Sequence, residues 1–377
     1  MIVRPLTEYC TLNMGQSPDS KTYNTQGNGL PFYQGNADFG ETHPITRVWC
    51  SAPVKTAENG DILISVRAPI GAMNTAVERC CIGRGLAALT PIRNKCSKQF
   101  LYYALQSKVD SLIAQGTGST FKAISKKVLE ATYIPAYSSD EQEHISNTIG
   151  RVDRAVAARR NQLILLDQLV KSRFVELFGV YPLNPKGWET ATIRDIVTDV
   201  RYGSSRPAVD GGKYPYLRMN NITYGGELDL TDTKRIDIPD NELDKCTVRR
   251  GDVLFNRTNS KELVGKTCVY NRDEMMVLAG FVIRVRVTER ILPEFLSAFL
   301  NTDFSKRMLL GMCKAAIGQA NINAQEMQDI GIYLPPTELQ RQFVQFKEQT
   351  DKSKLAVQKS LEELEILKKS LMQQYFG

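Results

Sequence analysis

Residues 140–179 read DEQEHISNTIGRVDRAVAARRNQLILLDQLVKSRFVELFG, and this stretch decides the fold. Its apolar residues recur at alternating spacings of about four and three, the heptad rhythm of a helix with a narrow apolar stripe. At ~1.5 Å per residue the pattern predicts one helix of roughly 55 Å. Ser139 or Asp140 is expected to cap its start. The stripe consists of Ile145, Ile149, Val152, Val156, Leu163, Leu166, Val170 and Leu177.

The same register returns at the end of the chain, 198 residues later, as the step from Gln142 to Gln340 shows. The repeat indicates a tandem duplication. The second copy has several polar residues at seam positions, so it is too polar to be a stable helix alone in water. Its natural partner is the first copy. Its apolar seam consists of Phe343, Val357, Leu361, Leu364, Leu371 and Tyr375, and Phe376-Gly377 repeats Phe178-Gly179.

Composition bounds the function. The chain has 377 residues, 42% of them hydrophobic, enough for two or three domains. Its net charge of +7 permits nucleic-acid binding without demanding it. Eight cysteines form no C-x-x-C pair and only two histidines are present, so we expect no metal site. No apolar run resembles a signal peptide or a membrane span, so we expect a cytoplasmic protein with reduced thiols.

The two halves of the chain repeat one order of elements. Each begins with glycine-rich turns, continues with a Gly-Asp turn that feeds an apolar strand, and then shows a helical pattern at 98–114 or 292–310. Arg67 and Arg257 end the two equivalent strands. A short strand then leads into each heptad helix. We expect an α+β fold with domains at 1–138 and 180–336 and long helices at 139–179 and 337–377.

With these features the sequence resembles the specificity subunits of Type I restriction-modification systems over essentially its whole length. The resemblance is carried by the doubled order of the Gly-Asp-Ile/Val-Leu strand, the Ile134-Pro135 and Leu334-Pro335 entries to the helices, Glu141-Gln142, and Phe-Gly after both helices. One departure is that the second copy has Leu339-Gln340 where the first has Glu141-Gln142. A contact made through that glutamate is therefore in doubt there.

The resemblance implies two similar target-recognition domains, each followed by a long helix, with the two helices in an antiparallel coiled coil of pseudo-two-fold symmetry. It implies double-stranded DNA and two DNA methyltransferase subunits as partners, through which restriction subunits could join. The chain itself would have no catalytic residues and no cofactor. Such an arrangement suits a bipartite target, because its approximate two-fold matches the dyad of a duplex.

Loop residues able to pair with base edges are the candidate readers, because arginine and lysine match guanine while asparagine and glutamine match adenine. Tyr202 is included because an aromatic ring can stack on a base. For each residue a solvated turn is the competing interpretation. The candidates in the first domain are Gln16, Ser17, Lys21, Gln34, Asn36, Arg67, Arg84 and Ser119. Those in the second are Tyr202, Ser204, Arg206, Arg218, Asn220, Asn221, Arg257, Asn259, Lys261 and Gln319.

The long helices carry more apolar surface than a two-helix seam needs. We predict that the outward residues Leu165, Leu169, Leu355 and Ile366 bury against methyltransferase subunits.

Signals for an enzyme are weak. Gly265-Lys266-Thr267 resembles the end of a phosphate-binding loop, but Ser260 stands where that motif requires a glycine. Asp61 and Asp252 each follow a glycine in equivalent turns, where aspartate is common. Two other classes remain open: a coiled-coil scaffold that binds proteins and not DNA, and an enzyme with an unrecognised site. Salt-dependent DNA binding separates the first from a DNA-recognition subunit, and activity of the isolated chain would reveal the second.

Overall fold

A computed structural model of the chain describes residues 2–118, 122–313 and 320–377. It divides into two compact units, Met1–Asn161 with Gln358–Gly377, and Gln162–Val357. Each unit holds one globular domain and one part of each long helix. Among the described residues no helix is long and apolar enough to cross a membrane, and no group of side chains suits a metal ion. All eight cysteines are free thiols.

The first domain is built from short strands and three helices, with the helices following the strands. Its elements are β1 (Val3–Pro5), β2 (Cys10–Met14), β3 (Tyr23–Asn24), β4 (Leu30–Tyr33), β5 (Trp49–Cys50), β6 (Thr56–Ala57), β7 (Ile62–Ser65), β8 (Met73–Thr75), β9 (Cys80–Ile82), β10 (Leu86–Pro91), α1 (Lys98–Ser107), α2 (Val109–Ala114), α3 (Lys126–Glu130) and β11 (Tyr133–Pro135).

The second domain follows the long helix α4 and is closed by the long helix α9. The elements from α4 onward are α4 (Ser139–Phe178), β12 (Glu189–Thr192), β13 (Val197–Tyr202), β14 (Tyr214–Leu217), β15 (Lys234–Ile236), α5 (Asp240–Cys246), β16 (Thr247–Val248), β17 (Val253–Asn256), β18 (Thr258–Asn259), β19 (Thr267–Val269), β20 (Met276–Leu278), β21 (Val282–Val287), α6 (Pro293–Leu300), α7 (Asp303–Met312), β22 (Ala320–Asn321), α8 (Ala324–Gln328), β23 (Gly331–Leu334) and α9 (Thr337–Phe376).

Matching sheets confirm that the two domains share one plan. The antiparallel sheet β2-β10-β7-β8 of the first corresponds to β13-β21-β17-β19 of the second. A second sheet contains one parallel pair in each domain, β4 with β9 and β14 with β20. Antiparallel pairs β1 with β11 and β12 with β23 tie the start of each domain to the strand before its long helix.

The predicted long helices pack together within each unit. In the unit of the first domain Asp153 pairs with Lys368 (Oδ1–Nζ 2.7 Å) and Arg160 with Glu365 (Nη2–Oε1 2.7 Å). Residue numbers rise along α4 as they fall along α9, so the two segments are antiparallel. Phe376 at the end of α9 is buried in the core of this domain.

The unit of the second domain has the same arrangement with the roles of the helices exchanged. Asp167 of α4 pairs with Lys354 of α9, and the Phe174 ring packs edge to face on Phe343 (centroids 5.3 Å apart). Phe178 at the end of α4 is buried in the core of this domain. The repeated Phe-Gly is therefore an anchor that fixes each helix end in a domain core, where a phenylalanine removes a large apolar area from water.

A buried glutamine joins α4 to the first domain. Gln142 Oε1 accepts a hydrogen bond from the backbone N–H of Ser97 (3.1 Å), the residue that caps α1. Gln142 Nε2 donates to the carbonyls of Lys95 and Tyr137 (both 3.0 Å). One side chain thus satisfies three backbone groups that would otherwise be buried without partners.

Gln340 makes the same set of contacts in the second domain. Its Oε1 accepts from Leu292 N–H (2.8 Å), just before α6, and its Nε2 donates to the carbonyls of Arg290 (3.2 Å) and Pro335 (2.9 Å). The glutamine repeated in sequence is therefore a structural residue in both copies.

The start of α4 differs from the prediction by one residue. The N–H and Oγ of Ser138 donate to Glu141 Oε2 (2.8 and 2.7 Å), a capping box in which Ser138 is the cap. Ser139 and Asp140 are wrong as caps because they already lie in the first helical turn. At the start of α9, Pro336 corresponds to Ser138 and Leu339 corresponds to Glu141. The second helix therefore lacks both side chains of the capping box. The role of Glu141 is therefore to cap the start of α4.

The helical patterns predicted at 98–114 and 292–310 are each two helices. The first is interrupted at Lys108, whose Nζ donates to the carbonyl of Phe376 (3.1 Å). The second is interrupted before Asp303, because Thr302 Oγ1 accepts from Ser305 N–H (3.2 Å) and caps a new helix. Apolar periodicity continues across both bends, so the pattern alone could not reveal them.

Candidate nucleic-acid interface

In the first domain, backbone hydrogen bonds gather the turns after β2, β4 and β9 at one edge. The N–H of Gln16 donates to Ile82 O (3.0 Å), and the N–H of Gly85 donates to Gln34 O (3.1 Å). Both glutamine side chains are exposed there. The structure thus brings together two residues that the sequence singled out in separate stretches.

Three more predicted residues lie at this edge. The N–H of Arg84 donates to Ser17 Oγ (3.3 Å). The N–H of Val66, one residue before Arg67, donates to Gly85 O (2.9 Å). Both arginine side chains are exposed, and among the described residues neither pairs with a carboxylate. This edge therefore offers amide and guanidinium groups to solvent.

The remaining predictions in this domain are less closely linked. Asn36 opens the 3-10 turn Asn36–Asp38 just after Gln34 and is half-buried. Lys21 is exposed in a separate 3-10 turn, where its N–H donates to Asp19 Oδ1 (3.0 Å). No contact between Lys21 and the edge is seen within residues 2–118 and 122–161. Ser119 lies outside the described residues.

The second domain forms the corresponding edge with one backbone contact that matches the first domain, Ser204 with Leu278, and one that does not, Gly280 with Ser204. The N–H of Ser204 donates to Leu278 O (2.6 Å), and the N–H of Gly280 donates to Ser204 O (2.7 Å). A side chain at Gly203 would place its Cβ 2.2 Å from Leu278 O, so only glycine allows this approach. Ser204 itself is buried.

Asn221 is also buried, and its amide serves the loop. Its Oδ1 accepts from Arg218 N–H (2.8 Å), while its Nδ2 donates to Asp229 O (2.8 Å). The burial of Ser204 and Asn221 argues against direct base contact by either side chain. We assign both residues to the fold.

Two of the predicted arginines are engaged in ion pairs. Arg206 makes a two-pronged contact with Glu242 (Nη2–Oε1 2.7 Å and Nε–Oε2 3.2 Å), and its hydrogen bonds lower the pKa of that carboxyl. Arg218 pairs with Asp232 (Nη2–Oδ2 2.9 Å). Base contact by either guanidinium would require it to leave its carboxylate.

Among the other predictions, Asn220 and Lys261 are exposed. Asn259 is half-buried and its Nδ2 donates to Asn256 Oδ1 (2.8 Å). Gln319 lies outside the described residues.

Arg257 differs from the paired arginines. Its guanidinium carbon lies 4.8 Å from the centroid of the Tyr202 ring, a cation–π contact. Tyr202 is 43% exposed. In the described part of the chain no carboxylate pairs with Arg257. The Tyr202 ring therefore covers one face of the Arg257 guanidinium. The N–H groups at its edge are not paired with a carboxylate of the described residues.

Arg67 and Arg257, predicted to end the two equivalent strands, follow β7 and β17 at positions that differ by one residue. Gly71 N–H donates to Ser65 O and Gly265 N–H donates to Asn256 O, so Ser65 and Asn256 are equivalent. Arg257 therefore corresponds to the buried Val66, and Arg67 to Thr258.

Sequence reasoning did not identify Phe281. This side chain is 50% exposed, and its carbonyl accepts from Arg257 N–H (3.0 Å). The sequence signal available for this residue was its place between Gly280 and strand β21, because a large aromatic side chain in a turn is unusual.

The acidic residues considered for a nuclease are committed to their turns. Asp61 Oδ2 accepts from Glu58 N–H (2.8 Å). Asp252 accepts from Arg249 N–H (3.0 Å) and from Arg286 Nε (2.8 Å). Each carboxylate is buried in its own domain, as expected of turn residues.

Comparison with known proteins identifies the family. The model of the Type I restriction modification DNA specificity domain matches residues 1–166 and 185–366. The chain therefore belongs to this family and carries two copies of the domain.

Individual relatives agree with this assignment. One is a Methanocaldococcus jannaschii protein provisionally named the type I restriction enzyme MjaX specificity subunit, 39% identical over 41% of this chain and 36% of its own length. The EcoKI specificity subunit of Escherichia coli is 24% identical over 67% of this chain and 56% of its own length. The chain thus spans between about a third and somewhat over half of these two relatives.

A solved structure shows the same fold. The S subunit of a Type I restriction-modification system from M. genitalium superposes with a TM-score of 0.59 at 15% identity, covering 100% of this chain and 96% of that one.

Proposed function

We propose that this chain is the DNA-recognition subunit of a Type I restriction-modification complex, without catalytic activity of its own, and that each domain reads one half of a bipartite duplex target. The observation that carries the proposal is the pair of matching edges. The residue after β4 is Gln34 and the residue after the equivalent strand β14 is Arg218, so the two edges carry different side chains at one backbone position. Different hydrogen-bonding groups on one backbone frame suit half-sites of different sequence.

The readers in the proposal are the predicted residues whose side chains are not buried. In the first domain they are Gln16, Ser17, Lys21, Gln34, Asn36, Arg67 and Arg84. In the second they are Tyr202, Arg206, Arg218, Asn220, Arg257, Asn259 and Lys261. Ser119 and Gln319 remain predictions from the sequence.

The proposed architecture is a pseudo-two-fold one, in which α4 and α9 form an antiparallel coiled coil. Its support is the antiparallel contact that each unit contains, with Asp153 opposite Lys368 in one and Asp167 opposite Lys354 in the other. Interactions between heptad seams of this kind stabilise helices that are too polar to persist alone.

Two methyltransferase subunits are the proposed protein partners, with restriction subunits joining through them in the cytoplasm. The helices expose large apolar side chains. Exposed apolar patches on a protein surface commonly mark the sites where partner proteins bind. Leu165 and Leu169 are 54% and 47% exposed, and Leu355 and Ile366 are 73% and 69% exposed.

Sequencing of methylated bases in a host with and without the gene tests the proposal. We expect one asymmetric bipartite motif that is methylated only when the gene is present together with its methyltransferase. A purified complex should bind that motif with an affinity that falls steeply with salt. Absence of both results would favour the protein-interaction scaffold.

The docking surface has its own test. Leu165→Asp with Leu169→Asp should abolish copurification of the methyltransferase. Gln345→Asp with Gln349→Asp is the matched control, because both residues are exposed on α9 with the same spacing and the charge change is the same. Equal copurification of the two double variants would place the docking surface elsewhere.

A further inference from the structure

We infer that Arg257, held on the ring of Tyr202, reads a guanine in the half-site of the second domain, and that the first domain has no counterpart of this contact. The inference rests on the proposed function, because it requires that the second domain meets base edges. It assigns Arg257 as a specificity-determining residue and Tyr202 as a positioning residue that acts through it.

The ring of Tyr202 is fixed at both ends. Its backbone lies in β13, paired with Ile283 of β21. Its hydroxyl oxygen accepts a hydrogen bond from the backbone N–H of Ala324 (2.9 Å), at the first residue of α8. The ring is therefore a rigid platform, although its surface is half exposed.

The backbone of Arg257 is equally well held. Its N–H donates to Phe281 O (3.0 Å), and its carbonyl accepts from Ile322 N–H (2.9 Å). Within residues 162–313 and 320–357 its Nε makes no hydrogen bond, although that atom is buried. The arginine is thus placed by its backbone and by the Tyr202 ring.

Among the predicted arginines of the second domain, Arg257 differs from the others in its surroundings. Arg206 and Arg218 are neutralised by Glu242 and Asp232, so recognition of DNA by either would have to break an ion pair. Arg257 has no such carboxylate among the described residues. A ring contact covers only the face of a guanidinium and leaves the donors at its edge available.

Guanine is the base that fits these donors. Its O6 and N7 acceptors in the major groove match two parallel N–H groups of one guanidinium. Stacking on the ring removes rotamer freedom before binding, which lowers the entropic cost of the contact. A lysine at this position would lack both the planar face that packs on Tyr202 and the two-pronged donor geometry of arginine.

The first domain carries different residues at the three equivalent positions. Met14 and Tyr202 are equivalent, because Gly15 N–H donates to Leu86 O where Gly203 N–H donates to Val282 O. Val66 stands in place of Arg257, and Gly85 in place of Phe281. Met14 and Val66 belong to the core of the first domain. Recognition by this device is therefore confined to one half-site.

The experiment uses the chain in complex with the methyltransferase of its own system. The bipartite target is first defined by sequencing methylated bases, and duplexes are then made with each guanine replaced in turn by 7-deazaguanine, which lacks only the N7 acceptor. For the wild type, one position in one half-site should weaken binding about tenfold. Arg257→Ala should bind that duplex and the unmodified one equally.

Further variants separate reading from packing. Arg257→Lys keeps the charge and should still lose the response to 7-deazaguanine. Tyr202→Leu should reduce that response, and Tyr202→Phe, which keeps the ring, should restore most of it. Arg250→Ala is the matched control, because Arg250 pairs with Asp273 and lies outside the proposed readers. Sensitivity of the other half-site should be unchanged in every variant, which also shows that each complex is folded.

The outcomes distinguish failure of the proposed function from failure of the role inferred for Arg257. A wild-type complex that binds no bipartite target would overturn the proposed function. A complex that binds its target, with Arg257→Ala as sensitive as the wild type at every guanine, would overturn only this inference. Equal loss of affinity for all duplexes in Arg257→Ala would assign the arginine to phosphate and overturn it as well.

Discussion

The first domain places Met14 and Val66 where the second places Tyr202 and Arg257. Met14 and Tyr202 end corresponding strands, and Val66 and Arg257 each lie just after one. In the first domain the pair closes the core, and in the second it forms an exposed cation–π contact. By contrast, both domains keep a buried glutamine. This glutamine, which satisfies buried backbone groups, is the same in both domains, whereas the pair at the rim of the sheet differs.

The largest change in the free energy of unfolding is expected when the first domain receives the arginine that the second domain has at the equivalent position. Val66→Arg should destabilise the first domain by at least about 4 kcal/mol, because Val66 is 2% exposed and an unpaired charge would be buried. The reverse change, Arg257→Val, should alter stability by less than about 1 kcal/mol, because the arginine is only half-buried. Urea denaturation of both variants measures the difference.

The measurement can be made domain by domain. The chain has two tryptophans, Trp49 in the first domain and Trp188 in the second, and both are half-buried. Trp188→Phe leaves fluorescence that reports the first domain, and Trp49→Phe leaves fluorescence that reports the second. If Val66→Arg and Arg257→Val shifted their own transitions equally, the two edges would not differ in burial as we describe.

A smaller effect is expected for the residue that both domains share. Gln142→Leu and Gln340→Leu should each cost about 2–4 kcal/mol, because each leaves buried backbone donors and acceptors without partners. Gln142→Leu should move the Trp49 transition, and Gln340→Leu the Trp188 transition. Glu replacements should cost at least as much, because a buried carboxylate oxygen would face two backbone carbonyl oxygens in place of the Nε2 donor. A loss at only one of the two sites would contradict their equivalence.

The smallest effect concerns the cap that only the first helix has. Ser138→Ala should cost about 1 kcal/mol at neutral pH. Hydrogen bonds from the Ser138 hydroxyl and then its N–H lower the pKa of Glu141 in the folded protein. This contribution is therefore present above the ordinary glutamate pKa and is lost as pH falls through the lowered value.

Denaturation at neutral and acidic pH measures this effect. The difference in the free energy of unfolding between Ser138→Ala and the wild type should become smaller on acidification. Pro336→Ala, at the corresponding residue of α9, should show no such pH dependence. A gap that stayed constant with pH would remove Glu141 from the cap.

Much of the architecture was accessible from the sequence. The heptads at 140–179 and the repeated Gly-Asp turns lie in short, continuous stretches whose periodicity reflects the face that each element buries. The candidate edges were also partly predictable, because turns with glycine precede Gln16 and Arg84. Helix bends at Lys108 and Thr302 were not, since caps and distant contacts produce them without changing the apolar pattern.

The sequence by itself determined the duplication, the class of fold and the segments that form the candidate edges, because each depends on residue spacing along the chain. Only the tertiary structure decided that Arg257 packs on the ring of Tyr202, since the two residues are far apart in the sequence and hydrogen bonds between strands bring their segments together. It likewise decided which arginines are neutralised: Arg218 meets Asp232 across a folded loop, and the partner of a charged group depends on distances that no local pattern contains.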